Sequence, residues 1–412
     1  MRDKDLYQQI LGVPEPWRVT DVDLKLDDGR IEVLVSMPSS AELRCPACQG
    51  VCPRYDKRSR RWRHLDTCQY QTLLVAQVPR VQCAEHGIKQ IEVPWAEERS
   101  RFTALFEILV IGWLKEASVN AVSRQLSLGW DAIDRIMQRA VERGLARRDT
   151  VGLYPDLDVD ETAFRKRHDY VTVISDPGTK SVIHLCDDRK KQSLKDFYAS
   201  LSEAQREGIN TVSMDMWPAF INATLESIPH AHSKVAFDRF HIAQHLGNAV
   251  DKVRRDENKK LSLQGNPILT GTKHDWLASP GNVPKKRKSA FRQLCDSQLK
   301  TARAWMRKEA AACLWHYRSR TWAKKAWEAW YAGAIRSRLE PIKKAARMIK
   351  KHLWGIINAI VTDTNNAGAE SINSRIKMVK VRSRGFRNKE RFKRAIYFHL
   401  GGLDLYPQIA TN

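Results

Sequence analysis

Two pairs of metal-ligand residues, Cys45-Pro-Ala-Cys48 and Cys83-Ala-Glu-His86, constrain the fold more than any other feature of this chain. Each pair sits where a tight turn is expected, with Pro46 inside the first and Gly87 just after the second. Between them Gln71-Thr-Leu-Leu-Val-Ala-Gln-Val-Pro-Arg-Val81 alternates like a strand, and Arg30-Ile-Glu-Val-Leu-Val-Ser36 upstream reads as β structure too. Two ligand pairs joined by β structure suit one structural, tetrahedral Zn²⁺ in a ribbon or treble-clef module. Cys52 and His64 are rival ligands, and buried thiols beside a surface histidine are the plainer alternative. Cys52 and Cys68 crowd into the same region, while Cys186, Cys295 and Cys313 are scattered. A disulfide scaffold would not leave so large a remainder poor in cysteine, so a reducing compartment is expected.

At 412 residues the chain is too long for one ordinary core, and two to four domains are expected. Lys plus Arg number 70 against 47 Asp plus Glu, a net charge of +23 that favours a polyanionic partner. A membrane is the weaker choice. The longest apolar run, Ala104-Leu-Phe-Glu-Ile-Leu-Val-Ile-Gly-Trp-Leu114, is too short to span and is interrupted by Glu107. The opening Met1-Arg-Asp-Lys-Asp-Leu lacks the apolar core of a signal peptide, which makes a cytoplasmic location the expectation.

The order of patterns divides the chain. Residues 1–98 hold a short helix near residues 5–11 and the zinc-binding β module. Residues 99–150 turn helical: Ser118-Val-Asn-Ala-Val-Ser-Arg-Gln-Leu126, a turn at Ser127-Leu-Gly129, then Trp130-Asp-Ala-Ile-Asp-Arg-Ile-Met-Gln-Arg139. Helix, glycine-containing turn and a second helix exposing Arg135, Gln138 and Arg139 make a helix-turn-helix pattern for reading DNA, although any small helical bundle can show it. From residue 151 strands dominate. Runs at 157–161, 170–175 and 181–186 precede a helix at 194–204, a strand closing on Asp215, a helix at 218–227, a strand at 233–237 and a helix from residue 242. That order, β-β-β-α-β-α-β-α, is ribonuclease-H-like. It places Asp160 on the first strand and Asp215 at the end of the fourth, neighbouring positions in the expected mixed five-stranded sheet.

The fold class expected is therefore α/β and multidomain: zinc module, helix-turn-helix, then a ribonuclease-H-like domain starting at residues 151–255. An all-helical, basic insertion at residues 256–350 interrupts that domain, and residues 351–412 complete it with a third acid, Glu370. Most of the insertion's tryptophans are expected in its core, with one or two free to stack on an unpaired base. Lys285-Lys-Arg-Lys288 reads as a solvated loop touching phosphate through Lys285, Lys286 and Arg287.

Phosphodiester transfer needs an activated attacking oxygen and a stabilised leaving oxygen. Two hard divalent ions, Mg²⁺ or Mn²⁺, supply both and bind carboxylate oxygen. Asp160, Asp215 and Glu370 are the acids a converging fold would assign to them. Asp158 is a rival for Asp160, because alternation puts both on one face of the strand, and Asp363 is a rival for Glu370. The basic run after Glu370, with Arg375, Lys377, Lys380, Arg382 and Arg384, would grip the backbone beside the cut.

The combined motifs resemble insertion-sequence transposases of the ISL-three family. Beside the two ligand pairs, the resemblance rests on Asp158-Val-Asp160-Glu-Thr-Ala-Phe-Arg-Lys, Val212-Ser-Met-Asp215-Met-Trp217, Phe237-Asp-Arg-Phe-His241-Ile-Ala-Gln244 and Thr364-Asn-Asn-Ala-Gly-Ala-Glu370-Ser-Ile-Asn373. It covers residues 40–400. One departure is Cys-x-x-His in place of Cys-x-x-Cys at the second zinc pair, which zinc accepts. The resemblance implies that Asp160, Asp215 and Glu370 form a DDE acidic triad. Asp238-Arg-Phe-His241 resembles the Asp/Cys-x-x-His element that follows the second acid in related transposases; physically, His241 is placed by its chemistry to contact the scissile phosphate or orient a catalytic acid, a buried structural histidine being the alternative. The family resemblance implies a bacterial transposase, at the nucleoid when bound, acting on double-stranded DNA (terminal inverted repeats and target) as a homodimer or higher oligomer. The rivals are an inactive DNA-binding regulator and a ribonuclease-H-like nuclease or resolvase.

Overall fold

The computed structural model describes residues 3–165, 169–364 and 367–408. Lys166, Asn365 and Asn366, which belong to the motifs above, lie outside them.

A helix, α1 (Asp3–Ile10), leads into β1 (Arg18–Lys25), β2 (Arg30–Ser36), β3 (Arg54–Arg63), β4 (Gln71–Cys83) and β5 (Gly87–Gln90). These strands form one sheet in the order β1-β2-β4-β3, with β5 on β4. Its core gathers Trp17, Trp62 and Trp95, packed edge to face. β3 was not expected. Its sequence, Arg-Tyr-Asp-Lys-Arg-Ser-Arg-Arg-Trp-Arg, carries almost no apolar alternation because the strand lies at the sheet edge and buries little besides its last two residues.

Three helices follow: α2 (Ala104–Glu116), α3 (Val119–Leu126) and α4 (Trp130–Ala146). Thr103 and Ser118 cap the first two by accepting from backbone N–H groups one turn on. Ser127 takes a left-handed φ of 51° to close the turn between α3 and α4.

The next unit contains β6 (Asp156–Arg165), β7 (Asp169–Asp176), β8 (Ser181–Cys186), α5 (Lys191–Ser200), α6 (Glu203–Gly208) and β9 (Thr211–Met214). It continues with α7 (Pro218–Ser227), α8 (Ala231–Lys234), β10 (Val235–Phe237) and α9 (Arg239–Leu263). The sheet order is β10-β9-β6-β7-β8; β7 is antiparallel to β6 and β8, while β9 and β10 run parallel to β6. This is the ribonuclease-H-like arrangement. The single helix expected at 194–204 is two, because Ser202 and Gln205 form a capping box that starts α6 afresh.

The helical stretch comprises α10 (Lys273–Leu277), α11 (Lys285–Cys295), α12 (Lys300–Cys313), α13 (Arg320–Ile335) and α14 (Glu340–Lys351). α15 (Leu353–Val361), α16 (Ala367–Arg382) and α17 (Lys389–Leu400) complete the chain's helices among the described residues. The Lys285 run opens α11 and is not a loop; Lys and Arg favour helix, and Pro284 supplies the N-cap. Trp276, Trp327 and Trp330 are buried in the helical core, and Trp322 is 63% exposed.

Two cores sandwich the second sheet. Leu157, Val159 and Ile174 face Phe197, Phe220, Leu246 and Ile356 on one side. Phe164, Val171 and Val173 face Ile372, Ile376, Phe392 and Ile396 of α16 and α17 on the other. The helix-turn-helix joins this body through Phe398 and Leu405, which lie in the core formed by α2 and α4. No helix among the described residues is long and apolar enough to cross a membrane.

Candidate functional site

Strand register builds the acidic site. β6 and β9 pair Asp158 with Ser213 and Val159 with Met214, so the next step sets Asp160 opposite Asp215. β9 and β10 pair Met214 with Phe237, and the Asp238 N–H continues the ladder to Met214 O at 3.1 Å. Asp160, Asp215 and Asp238 therefore form a row across three parallel strands, just past the carboxyl ends of β9 and β10 and midway along β6.

The third acid comes from far along the chain. Glu370 is exposed in the first turn of α16, where the helix dipole favours a carboxylate. One turn later Asn373 donates to Asp160 Oδ2 at 2.6 Å, which ties this helix to β6. Gly368 permits the approach, since a Cβ there would lie 3.0 Å from Asp158 Oδ2. Glu370, Asp363 and Asp238 line one cavity of about 450 Å³ between the sheet edge and the helical stretch. His241 lies between two acids, Nδ1 3.9 Å from Asp215 Oδ1 and Nε2 3.5 Å from Asp238 Oδ2.

The electrostatics favour a cation. Burial first, then repulsion from neighbouring acids, raises Asp158 to about 7. Asp160 rises to about 6 through burial, opposed by its bond from the Glu161 N–H. Asp158 is 1% exposed and its Oδ2 has no hydrogen-bond partner. A buried carboxylate oxygen without a partner beside a row of acids attracts a hard divalent ion, but among the described residues the ligand atoms of Asp160, Asp215 and Glu370 do not close into one metal-sized group as those of the Cys/His set do.

The expected zinc ligands converge. Ligand atoms of Cys45, Cys48, Cys83 and His86 all lie within 4.8 Å of one another. Cys48 Sγ to Cys83 Sγ is 3.7 Å, and Cys83 Sγ to His86 Nδ1 is 3.5 Å. A tetrahedron with ordinary Zn–S and Zn–N bonds has edges of about 3.8 and 3.6 Å, so the set fits one zinc ion. A hydrogen bond donated by the His86 ring, joined by backbone N–H groups of His86 and Glu85, pulls the Cys83 thiol down to about 6, toward the ligating thiolate. His64 is not a rival: it is buried 2.8 Å from Thr103 Oγ1. Cys52 lies outside the four-ligand set.

The basic residues divide. On α4, Arg135 is exposed, Gln138 donates to Glu142, and Arg139 turns inward to the buried carboxylate of Glu107. In α11, Lys285 and Lys286 are exposed, while Arg287 pairs with buried Asp275 at 2.7 Å. Along α16, Arg375 and Lys377 are exposed, Lys380 donates to Ala163 O, and Arg382 donates to Lys115 O at 2.7 Å. Arg384 is exposed at a left-handed φ of 54°.

Sequence reasoning singled out neither Asn373 nor Asp238 as an acting residue. Asn373 is three residues after Glu370 and so shares its helix face. Asp238 ends its strand as Asp215 ends the one beside it, a parallel visible once both strands are recognised.

Residues 157–396 match a family model described as the ISL3 transposase DDE domain, residues 91–141 the helix-turn-helix domain of transposase family ISL3, and residues 41–86 the zinc-finger of transposase IS204/IS1001/IS1096/IS1165. The transposase for insertion sequence element IS1001 of Bordetella parapertussis is 26% identical over 399 residues, 95% of this chain and 97% of that one. The transposase for insertion sequence element IS1557 of Mycobacterium tuberculosis is 24% identical over 420 residues, covering 95% and 94% of the two chains.

Proposed function

The chain belongs to the ISL3 family of transposases, and from that premise we propose that it binds the terminal inverted repeats of its own insertion sequence, cuts a strand there and joins the freed end to target DNA. The observation that carries this reading is the row formed by Asp160 and Asp215, together with the tie from Asn373 of α16, the helix that begins with Glu370, to Asp160. Asp160, Asp215 and Glu370 would hold two Mg²⁺ or Mn²⁺ ions, which when bound activate an attacking oxygen and stabilise a leaving one.

The chain's own groups do the rest. Asn373 fixes the Asp160 carboxylate. His241, beside Asp215, is placed to hold a proton or to donate to a phosphate oxygen. Exposed Arg375 and Lys377 on the same helix as Glu370 offset the repulsion between phosphate and acids. In the first step water oxygen attacks phosphorus and the 3′-oxygen leaves with a proton. In the second that 3′-hydroxyl attacks a target phosphodiester, with attacking and leaving roles exchanged. Two ends must be handled together, so a homodimer or higher oligomer on DNA belongs to the proposal.

The test is strand cleavage of a labelled duplex carrying the element's end, with Mg²⁺, Mn²⁺ and Ca²⁺ in parallel. Wild type should cut at the end in Mg²⁺ or Mn²⁺. Asp160→Ala, Asp215→Ala and Glu370→Ala should bind the end yet lose at least about 10³-fold in rate. Cutting by a folded Asp215→Ala protein would sink the assignment; firm binding without cutting by wild type in every metal would favour a regulator.

A further inference from the structure

A groove of about 660 Å³ runs between the helix-turn-helix and the turn that links α16 to α17. Arg124 of α3 faces it from one side, and Arg382, Arg384, Arg387 and Arg391 from the other, with Trp130 also in its wall. Among the described residues, no acidic one lines it. Arg124, Arg384 and Arg387 are exposed and have no ion-pair partner among the described residues.

The arginine turn is fixed in place. Gly385 adopts a φ of 90°, which a side chain would resist, and its N–H donates to Lys380 O at 2.8 Å. Phe386 next to it packs 5.2 Å from the ring of Phe392 in the core beneath. Arg382 is tied to α2 through Lys115 O, and the Arg387 carbonyl accepts from Arg165 of β6. The groove thus spans two units whose contact is already built.

The outer face of α4 is by contrast a poor reader. A recognition helix usually meets bases through its N-terminal residues. Here that end carries Asp131 and Asp134, and Asp134 is held by Arg391 at 3.2 Å and Arg394 at 3.0 Å from α17. Arg391 in turn covers the Trp130 ring at 4.3 Å. Arg139 is spent on Glu107.

We propose that this groove is the clamp for the sugar–phosphate backbone of duplex DNA, shared by α3 and the α16–α17 turn. The helix-turn-helix then presents DNA jointly with the body that bears the acids, rather than through the free face of α4 alone. The inference rests on the DNA-transposase reading above. Because the clamp's turn continues directly from the helix bearing Glu370, seating the duplex also sets that helix relative to the strand to be cut.

The experiment is a salt titration of duplex binding by the full-length, zinc-loaded protein, read by fluorescence anisotropy between 50 and 200 mM salt, roughly the range over which phosphate contacts dominate. The triple variant Arg124→Ala, Arg384→Ala, Arg387→Ala should bind at least about tenfold more weakly, and its log–log salt slope should be shallower by about two to three. Arg387→Ala alone should reduce the slope by about one, which keeps the test open if the triple variant fails to fold. The pair Arg135→Ala, Gln138→Ala should move the slope little. A wild-type slope in the folded triple variant, or a loss confined to the α4 pair, overturns the clamp and leaves the DNA reading intact. Failure of wild-type protein to bind any duplex removes both.

Discussion

Asp158 has an unusual setting for a carboxylate: buried, with Oδ2 short of a hydrogen-bond partner, and among other acids. Its folded value near 7 lies above the ordinary aspartate value of about 3.9. Between those two values the folded chain holds a proton that the unfolded chain has released, so stability falls as pH rises through that window. Without divalent ions, the melting temperature of wild type should therefore decline from pH 5 to pH 8 more steeply than that of Asp158→Asn. Equal slopes in the two proteins would mean that Asp158 is ionised and partnered in solution. At pH 8 added Mg²⁺ should raise the wild-type melting temperature, since an ion that binds only the folded chain stabilises it by mass action. His64 shows the opposite sign. Burial holds it near 4, so its contribution is lost as pH falls from about 6.5 toward that value.

Among the elements, α2 shows how a residue changes meaning between sequence and structure. Glu107 reads as an interruption of an apolar run, yet in the fold it is 1% exposed and accepts from Ser100, Arg139 and Arg143. Removing it leaves Arg139 without a carboxylate partner and Ser100 without its carboxylate acceptor, while Arg143 keeps only Glu97 as an ion-pair partner. Glu107→Ala should destabilise the helix-turn-helix by about 3–5 kcal/mol, measured by urea denaturation, whereas changes at exposed Arg135 should cost about 0.5 kcal/mol or less.

Other elements were legible to differing degrees, for physical reasons. β2, β8 and α7 stand where apolar alternation and a Pro at the first helical turn put them. The acids Asp160 and Asp215 could be located because strand order alone makes their strands neighbours. The α3–α4 turn was legible through Ser127 and Gly129, but which face of α4 is free was not, because α17 and the C-terminal segment cover part of it. The groove arginines were equally hidden. Arg124 and Arg387 meet only after the fold brings α3 and the α16–α17 turn together, and nothing local marks either one.

For the whole molecule, the N-terminal sheet has a hydrophobic core distinct from those around the second sheet. Zinc bound to Cys45, Cys48, Cys83 and His86 would hold its two turns together, and metal-binding energy in so small a module is folding energy. A chelator should therefore melt the module while the second sheet persists, giving two transitions in which fluorescence from Trp17, Trp62 and Trp95 changes first. One zinc per chain should be released. A single concerted transition after chelation would show that the modules fold as one unit, through joints such as the bond between His64 and Thr103.

The link from Asn373 to Asp160 spans 213 residues. During synthesis, β6 to β10 leave the ribosome with their acids in place well before α16 exists. At about 5–20 residues per second, the interval between the first acid and the third is on the order of ten to forty seconds. Throughout it the nascent chain can assemble the sheet but not close the acidic set. A translation product interrupted anywhere ahead of Glu370 carries at most two of the three acids, so the capacity to break a phosphodiester backbone would arrive last, after the chain's zinc and helix-turn-helix modules have had time to fold.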